Sequence, residues 1–151
     1  IGLALGADVP FFLGSGPALA RGIGERLIPV SLPALWVAVI VPATAVSTAS
    51  IFAAPELTRD TASVKIEVFS EGYGRNDLQQ TTAARFPEVA VALGSLGERS
   101  SRLARMTGSG GCVFAPFASE AEAQDAVDAR PATMQGFVAR TLARHPLAAF
   151  A

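Results

Sequence analysis

The stretch Leu103-Ala104-Arg105-Met106-Thr107-Gly108-Ser109-Gly110-Gly111-Cys112-Val113-Phe114-Ala115-Pro116-Phe117 sets a glycine- and hydroxyl-rich loop between two apolar, strand-like runs. From Thr107 to Gly111, three residues are glycine and two carry a hydroxyl. Glycine reaches positive φ cheaply and leaves no side chain in the way of a close approach, so such a loop can turn several backbone N–H groups towards an anion. It reads as a phosphate-facing loop built from Gly108, Ser109, Gly110 and Gly111. The same composition also suits a tight β-hairpin turn between two core strands, Leu103–Met106 and Cys112–Phe117.

Upstream, Trp36-Val37-Ala38-Val39-Ile40-Val41 is β-rich, continuously apolar and ended by Pro42, which predicts a strand buried on both faces. Ser47–Phe52 is a short helix candidate. Asp77–Leu96 reads as one long helix with a stripe of Leu78, Ala83, Phe86, Val89, Ala90 and Leu93, kinked at Pro87. Downstream, Ser119-Glu120-Ala121-Glu122 has the form of a capping box opening a helix through Ala129, and Gly136–Arg140 closes as a strand. The order from Trp36 is therefore strand, helices, strand, strand, helix, strand. That is the split βαβ arrangement of an α+β, ferredoxin-like domain, an antiparallel sheet with helices on one face. Before it, Ile1–Gly6 reads as the end of a helix and Pro10–Leu13 as an apolar turn. Ala18–Ile23 and Arg26–Val30 form a hairpin about Gly24-Glu25, and Ser31-Leu32-Pro33 is a joint. The expected organisation is a short first portion, residues 1–30, and a second domain, residues 31–151.

The chain of 151 residues has room for one ordinary domain. Net charge is -1, and all but one of the 12 cations are Arg, so the basic footprint needed to hold a nucleic acid is missing. The longest apolar stretch, Leu32–Val46, is interrupted by Pro33 and Pro42 and is shorter than the roughly 18 residues that suggest a bilayer span. A single Cys and a single His argue against a structural zinc site and predict no metal ligands in the chain. The lone Cys112 excludes an internal disulfide and fits a reducing, cytoplasmic setting. Charged residues are only 17% of the chain, below the roughly 25% usual for soluble domains, and mean hydropathy is +0.40. With a first residue of Ile1 and no initiator Met, the chain reads as a piece of a longer protein, some of whose apolar surface faces the rest.

Asp8, in Gly6-Ala7-Asp8-Val9-Pro10-Phe11-Phe12, is the only acid among the first twenty-four residues. An unpaired carboxylate among apolar neighbours is costly, so it is either held for a reaction or caps the turn at Pro10–Leu13. Asn76-Asp77 caps the long helix. Cys112, Phe11, Phe12 and Trp36 are expected to pack in a core, and His145 to lie on the surface.

Four segments occur together and in order: Gly6-Ala7-Asp8-Val9-Pro10-Phe11-Phe12, Ala20-Arg21-Gly22-Ile23-Gly24-Glu25, Arg75-Asn76-Asp77-Leu78 and Thr107-Gly108-Ser109-Gly110-Gly111-Cys112-Val113-Phe114. Over nearly its whole length the chain resembles the C-terminal half of the diphosphocytidyl-methylerythritol kinases, a branch of the GHMP kinase superfamily. The resemblance implies an ATP-dependent enzyme, with Mg as the accompanying ion. It would transfer a phosphoryl group to the tertiary 2-hydroxyl of a diphosphocytidyl methylerythritol substrate in the non-mevalonate route to isoprenoids. It implies that Asp8 is the catalytic aspartate and that Gly108, Ser109, Gly110 and Gly111 line the nucleotide phosphates. Phe52 would stack on the cytosine ring, with Thr48 and Ile23 near the same pocket. It also implies that the main ATP loop and a lysine partner of Asp8 lie upstream of Ile1, in a missing N-terminal half, and that the 151 residues alone are inactive. Two rivals remain: a GHMP kinase for another small molecule, or a non-enzymatic ferredoxin-like module in which the glycine loop is only a turn.

Overall fold

The computed structural model describes residues 2–6, 8–14, 16–62 and 74–146. The chain divides into two units, residues 1–34 with 141–151 and residues 35–140. The joint read at Ser31-Leu32-Pro33 lies just ahead of that division.

In the second unit, β3 (Trp36–Val41) is the inner strand that organises the rest. Its β-branched Val and Ile side chains suit an extended, half-buried backbone. It pairs antiparallel with β5 (Cys112–Phe117) on one side and with β6 (Gln135–Arg140) on the other, so that Val39 faces both Phe114 and Phe137. The short β4 (Arg105–Thr107) adds outside β5, giving the order β4-β5-β3-β6. This is the α+β, ferredoxin-like sheet that the sequence predicts.

Alternation decides which face is covered. Ala38 and Ile40 on β3 and Val113, Ala115 and Phe117 on β5 form one core. They pack with Val89, Ala92 and Leu96 of α5 (Pro87–Gly97) and Ala123, Ala126 and Val127 of α6 (Glu120–Asp128). The intervening Val37, Val39 and Val41 are only half-buried, so β3 is not buried on both faces as its continuous apolar run suggested. In an antiparallel sheet one covered face suffices, and an apolar run does not require a second.

The expected single helix from Asp77 to Leu96 is two helices, α4 (Leu78–Arg85) and α5. Between them Phe86 is extended, with φ −127° and ψ 90°. The ring of Pro87 disfavours a helical conformation for the residue before it, and Pro87 itself suits a first helical turn. The break also resets the helical phase. The buried stripe of α5 is Val89, Ala92 and Leu96, while Ala90, placed on the stripe by the one-helix reading, is exposed. The cap forms with its return bond displaced by one residue: Ser119 Oγ accepts from Glu122 N–H at 3.3 Å, and Glu122 Oε2 accepts from the N–H of Ala118, just before the N-cap, at 3.1 Å.

The first unit holds α1 (Gly2–Leu5), α2 (Val9–Phe12) and the expected hairpin, β1 (Ala18–Arg21) with β2 (Arg26–Pro29). Gly22 and Gly24 take positive φ in the connecting turn, which places Ile23 in the turn and not in a strand. None of its described residues is buried. Phe11 and Phe12, expected in a core, are exposed and meet each other edge-to-face, with ring centroids 5.6 Å apart. Cys112, in the second unit, is likewise half-buried and not a core residue, because it points to the face of β5 away from the helices.

Candidate functional site

The glycine loop grows from the β4–β5 register. Thr107 opposite Cys112 closes a hairpin whose four-residue connection is Gly108–Gly111. Gly108, Gly110 and Gly111 all have positive φ, at 56°, 131° and 95°, so the backbone path itself selects glycine at those three positions. At Gly110 packing adds a second reason. A Cβ there would lie 3.0 Å from Thr82 Cγ2 and from Val46 Cγ2. The loop is thus a hairpin turn, and the open question is whether it is only that.

Side chains from two other elements are bonded to it. Helix α3 (Thr48–Phe52) starts at Ser47, whose Oγ accepts from Ser50 N–H at 3.4 Å, and it is anchored by the fully buried Ile51. Its first residue, Thr48, shares a hydrogen bond of 2.7 Å between its Oγ1 and Ser109 Oγ. Phe52 lies one turn further on the same side of the helix and is 57% exposed. The structure therefore brings Thr48 to the loop and leaves the Phe52 ring open at the other end of α3.

The second contributor went largely unrecognised in the sequence. Asn76, just before α4, donates from Nδ2 to the carbonyls of Met106 at 2.9 Å and Gly108 at 2.7 Å, while its Oδ1 accepts from Leu78 N–H at 3.0 Å. It caps the helix, as read, and also grips the loop. Asp77 holds the N-cap position without a side-chain cap bond and pairs instead with Arg75 at 2.6 Å. Gln79 Oε1 accepts from Met106 N–H at 2.8 Å, and the Thr82 hydroxyl donates to Ser109 O at 3.0 Å. The available signal was a run of amide and hydroxyl side chains spaced by three, Asn76, Gln79 and Thr82; in the structure Thr82 is fully buried.

Helix α3 is itself held by two arginines. Arg85 makes a bidentate pair with Glu56, at 2.7 and 3.0 Å, and reaches Ser50 O at 3.3 Å. That hydrogen-bonded guanidinium holds the Glu56 carboxyl below its ordinary range. Arg59 donates to Phe52 O at 2.7 Å and Ala54 O at 3.0 Å, placing positive charge on the free carbonyls at the helix C-terminus.

Asp8 and Ile23 belong to the first unit. Asp8 stands at the N-cap position of α2, where its carbonyl accepts from Phe11 N–H at 3.1 Å, but its side chain makes no cap bond and is exposed. The capping alternative for its carboxylate is therefore not realised. Ile23 is 73% exposed, its N–H donating to Glu25 Oε2 at 2.7 Å. Among the described residues, no group of three or more His, Cys, Asp or Glu side chains is arranged to hold a metal ion, and no helix is long and apolar enough to cross a membrane.

A family model described as GHMP kinases C terminal matches residues 53–136, more than half of the chain. The chain belongs to the GHMP kinase family. Among curated proteins it is 52% identical over 147 residues to a 4-diphosphocytidyl-2-C-methyl-D-erythritol kinase of Thiobacillus denitrificans, covering 97% of this chain and 52% of that one. It is 50% identical over 148 residues to the protein of the same name from Nitrosospira multiformis, covering 97% of this chain and 50% of that one. This GHMP kinase chain thus spans about half the length of the curated relatives it matches. Of solved structures, one of a 4-(cytidine 5'-diphospho)-2C-methyl-D-erythritol kinase superposes with TM-score 0.76 at 30% identity, over 91% of this chain and 54% of that one. A homoserine kinase from Cytophaga hutchinsonii gives TM-score 0.66 at 16% identity, over 91% of this chain and 51% of that one, a likeness of fold alone.

Proposed function

We propose that this chain is the C-terminal portion of a cytoplasmic, ATP-dependent small-molecule kinase that phosphorylates the 2-hydroxyl of 4-diphosphocytidyl-2-C-methyl-D-erythritol, a step of the non-mevalonate route to isoprenoids. The observation that carries the reading is the 2.7 Å bond between Thr48 and Ser109. It joins the helix expected to hold the cytidine end of the substrate to the loop expected to face the phosphates. The names of relatives at 52% and 50% identity supply the substrate.

In this reading Asp8 orients the acceptor hydroxyl and takes its proton, while the loop's N–H groups offset charge on the phosphoryl group in flight. An exposed carboxylate with no capping duty is available for that work. Phe52 offers its open ring to cytosine, and Thr48 and Ile23 line the substrate side. The loop presents N–H and hydroxyl donors, which suit an anion; Mg2+ would come with the phosphates of ATP. The chain spans about half the length of these relatives, and in this reading the main ATP cradle belongs to the other half, so the 151 residues alone are expected to turn over no substrate.

The test is Asp8→Asn in a full-length protein carrying this chain, assayed with ATP and the diphosphocytidyl substrate. Loss of a general base predicts a fall in kcat of about 100-fold or more, with Tm unchanged because no cap bond is lost. Full activity in that variant, or turnover by the isolated 151 residues, overturns the corresponding part of the proposal.

A further inference from the structure

The three side chains that α4 and the residue before its cap send to the loop share a geometric logic. In a trans peptide the C=O of one residue and the N–H of the next point in opposite directions. All peptides among the described residues are trans. Asn76 holds Gly108 O at 2.7 Å and so aims the Ser109 N–H the other way, away from Asn76. Thr82 holds Ser109 O at 3.0 Å and in the same manner fixes the Gly110 N–H, which closes the turn on Thr107 O at 3.3 Å. One step earlier, Met106 is gripped at both ends, by Asn76 at its carbonyl and Gln79 at its N–H. Strand β4 is the sheet edge, and these two amides give it the partner that a further strand would have supplied.

Glycine at 108, 110 and 111 leaves the loop many backbone conformations, and none of the three is chosen by glycine itself. Asn76 satisfies all of its strong bonds in one pose, two donated and one accepted, and Thr82 is fully buried, so the choice is imposed from α4. We propose that Asn76 and Thr82, supported by Gln79, are positioning residues. They set the glycine loop in the single conformation in which the Gly110 N–H closes the turn and the Ser109 N–H is left for the phosphoryl group, sparing the loop that ordering when nucleotide binds. This inference rests on the kinase reading above.

Thr82→Val is the decisive variant, because it keeps shape and burial and removes only the hydroxyl. Asn76→Asp is the second, keeping the acceptor for Leu78 N–H while losing both donated bonds. In a full-length protein carrying this chain, each is expected to lower kcat by about tenfold or more. KM for the diphosphocytidyl substrate should stay within about twofold, because α3 and Phe52 are untouched, and Thr82→Ser should restore kcat. Amide hydrogen exchange from Gly108 to Gly111 should quicken by about tenfold or more in Thr82→Val. Unchanged kcat in Thr82→Val beside an active wild type overturns the inference and leaves the kinase reading standing. A Thr82→Ser variant as poor as Thr82→Val does the same. An inactive wild type overturns the kinase reading instead, and loop exchange then decides the clamp: faster in Thr82→Val upholds it, unchanged refutes it.

Discussion

The two units that carry the candidate site residues are built on different principles. Around the glycine loop every expected residue stands on a core: Ile51 under α3, Thr82 beneath Ser109, and Met106 and Val113 in the flanking strands are all buried. Around Asp8 and Ile23 none of the described residues is buried, and α1 and α2 are single turns held by local backbone bonds. The contrast teaches that the glycine loop is held against a core within this chain's own second unit. The carboxylate is merely displayed. A loop of main-chain donors must be rigid before the anion arrives, since its stabilisation comes from dipoles that need no reorganisation.

The comparison breaks first if the core of the second unit is not what holds it. Ile40 is fully buried on the central strand, whereas Phe12 in the first unit is 63% exposed. Ile40→Ala should cost about 4 kcal/mol, the usual range for a large-to-small change in a packed core. Phe12→Ala should cost less than about 0.5 kcal/mol, as for a surface change. Urea unfolding of the 151-residue chain measures both. Equal losses would mean that the first unit has a core of its own and that the contrast is false.

The two glycine turns sharpen the same point on a smaller scale. Gly110 has φ 131° and no room, with Val46 and Thr82 side chains at 3.0 Å from a built Cβ. Gly22, in the hairpin of the first unit, has φ 71°, and a Cβ there would first meet the Glu25 carboxylate, the far end of a flexible side chain. Gly110→Ala is expected to cost about 3 kcal/mol, from a conformation reserved for glycine plus crowding against packed neighbours. Gly22→Ala should cost about 1 kcal/mol, the ordinary penalty of a left-handed residue. Thermal melts of the two variants should separate them clearly, and matching shifts would show that the loop at 108–111 is no more constrained than a surface hairpin.

Much of this was legible in the sequence, and the limits have physical causes. Local signals read well: the β4–β5 hairpin from its glycines, the start of α6 from Ser119 and Glu122, the start of α3 from Ser47. Readings of burial did worse. The run Trp36–Val41 carries no mark of which face is covered, and Phe11 and Phe12 look like core residues until neighbours are counted. Pro87 announced a disturbance, but whether it kinks a helix or ends one depends on the residue before it, and Phe86 goes extended. For the site, the residue types at Gly108–Gly111, Thr48 and Phe52 were readable singly. The bonds from Asn76, Gln79 and Thr82 to the loop span 27 to 32 positions of chain, and only the fold brings them together.

The smallest expected effect concerns how α3 is tied to α4. Arg85 and Glu56 form a bidentate pair at the surface, and the carboxyl is held below its ordinary range chiefly by that hydrogen bond, next by a backbone N–H, and least by Coulomb attraction to Arg85 and Arg59. A carboxyl with a folded pKa lower than its unfolded one stabilises the fold above the unfolded value. That contribution is lost as pH falls through the folded value. Stability should therefore decline slightly on acidification below the ordinary carboxylate range, and Glu56→Gln should remove that part of the decline while leaving neutral-pH stability nearly unchanged. Because the pair is exposed, added salt should mute the difference. Melting curves of wild type and Glu56→Gln across acidic pH, at low and high salt, check the sign. A larger decline in the variant than in the wild type would mean that Glu56 is not the group titrating there, and that its pair with Arg85 does not help to hold α3 in place.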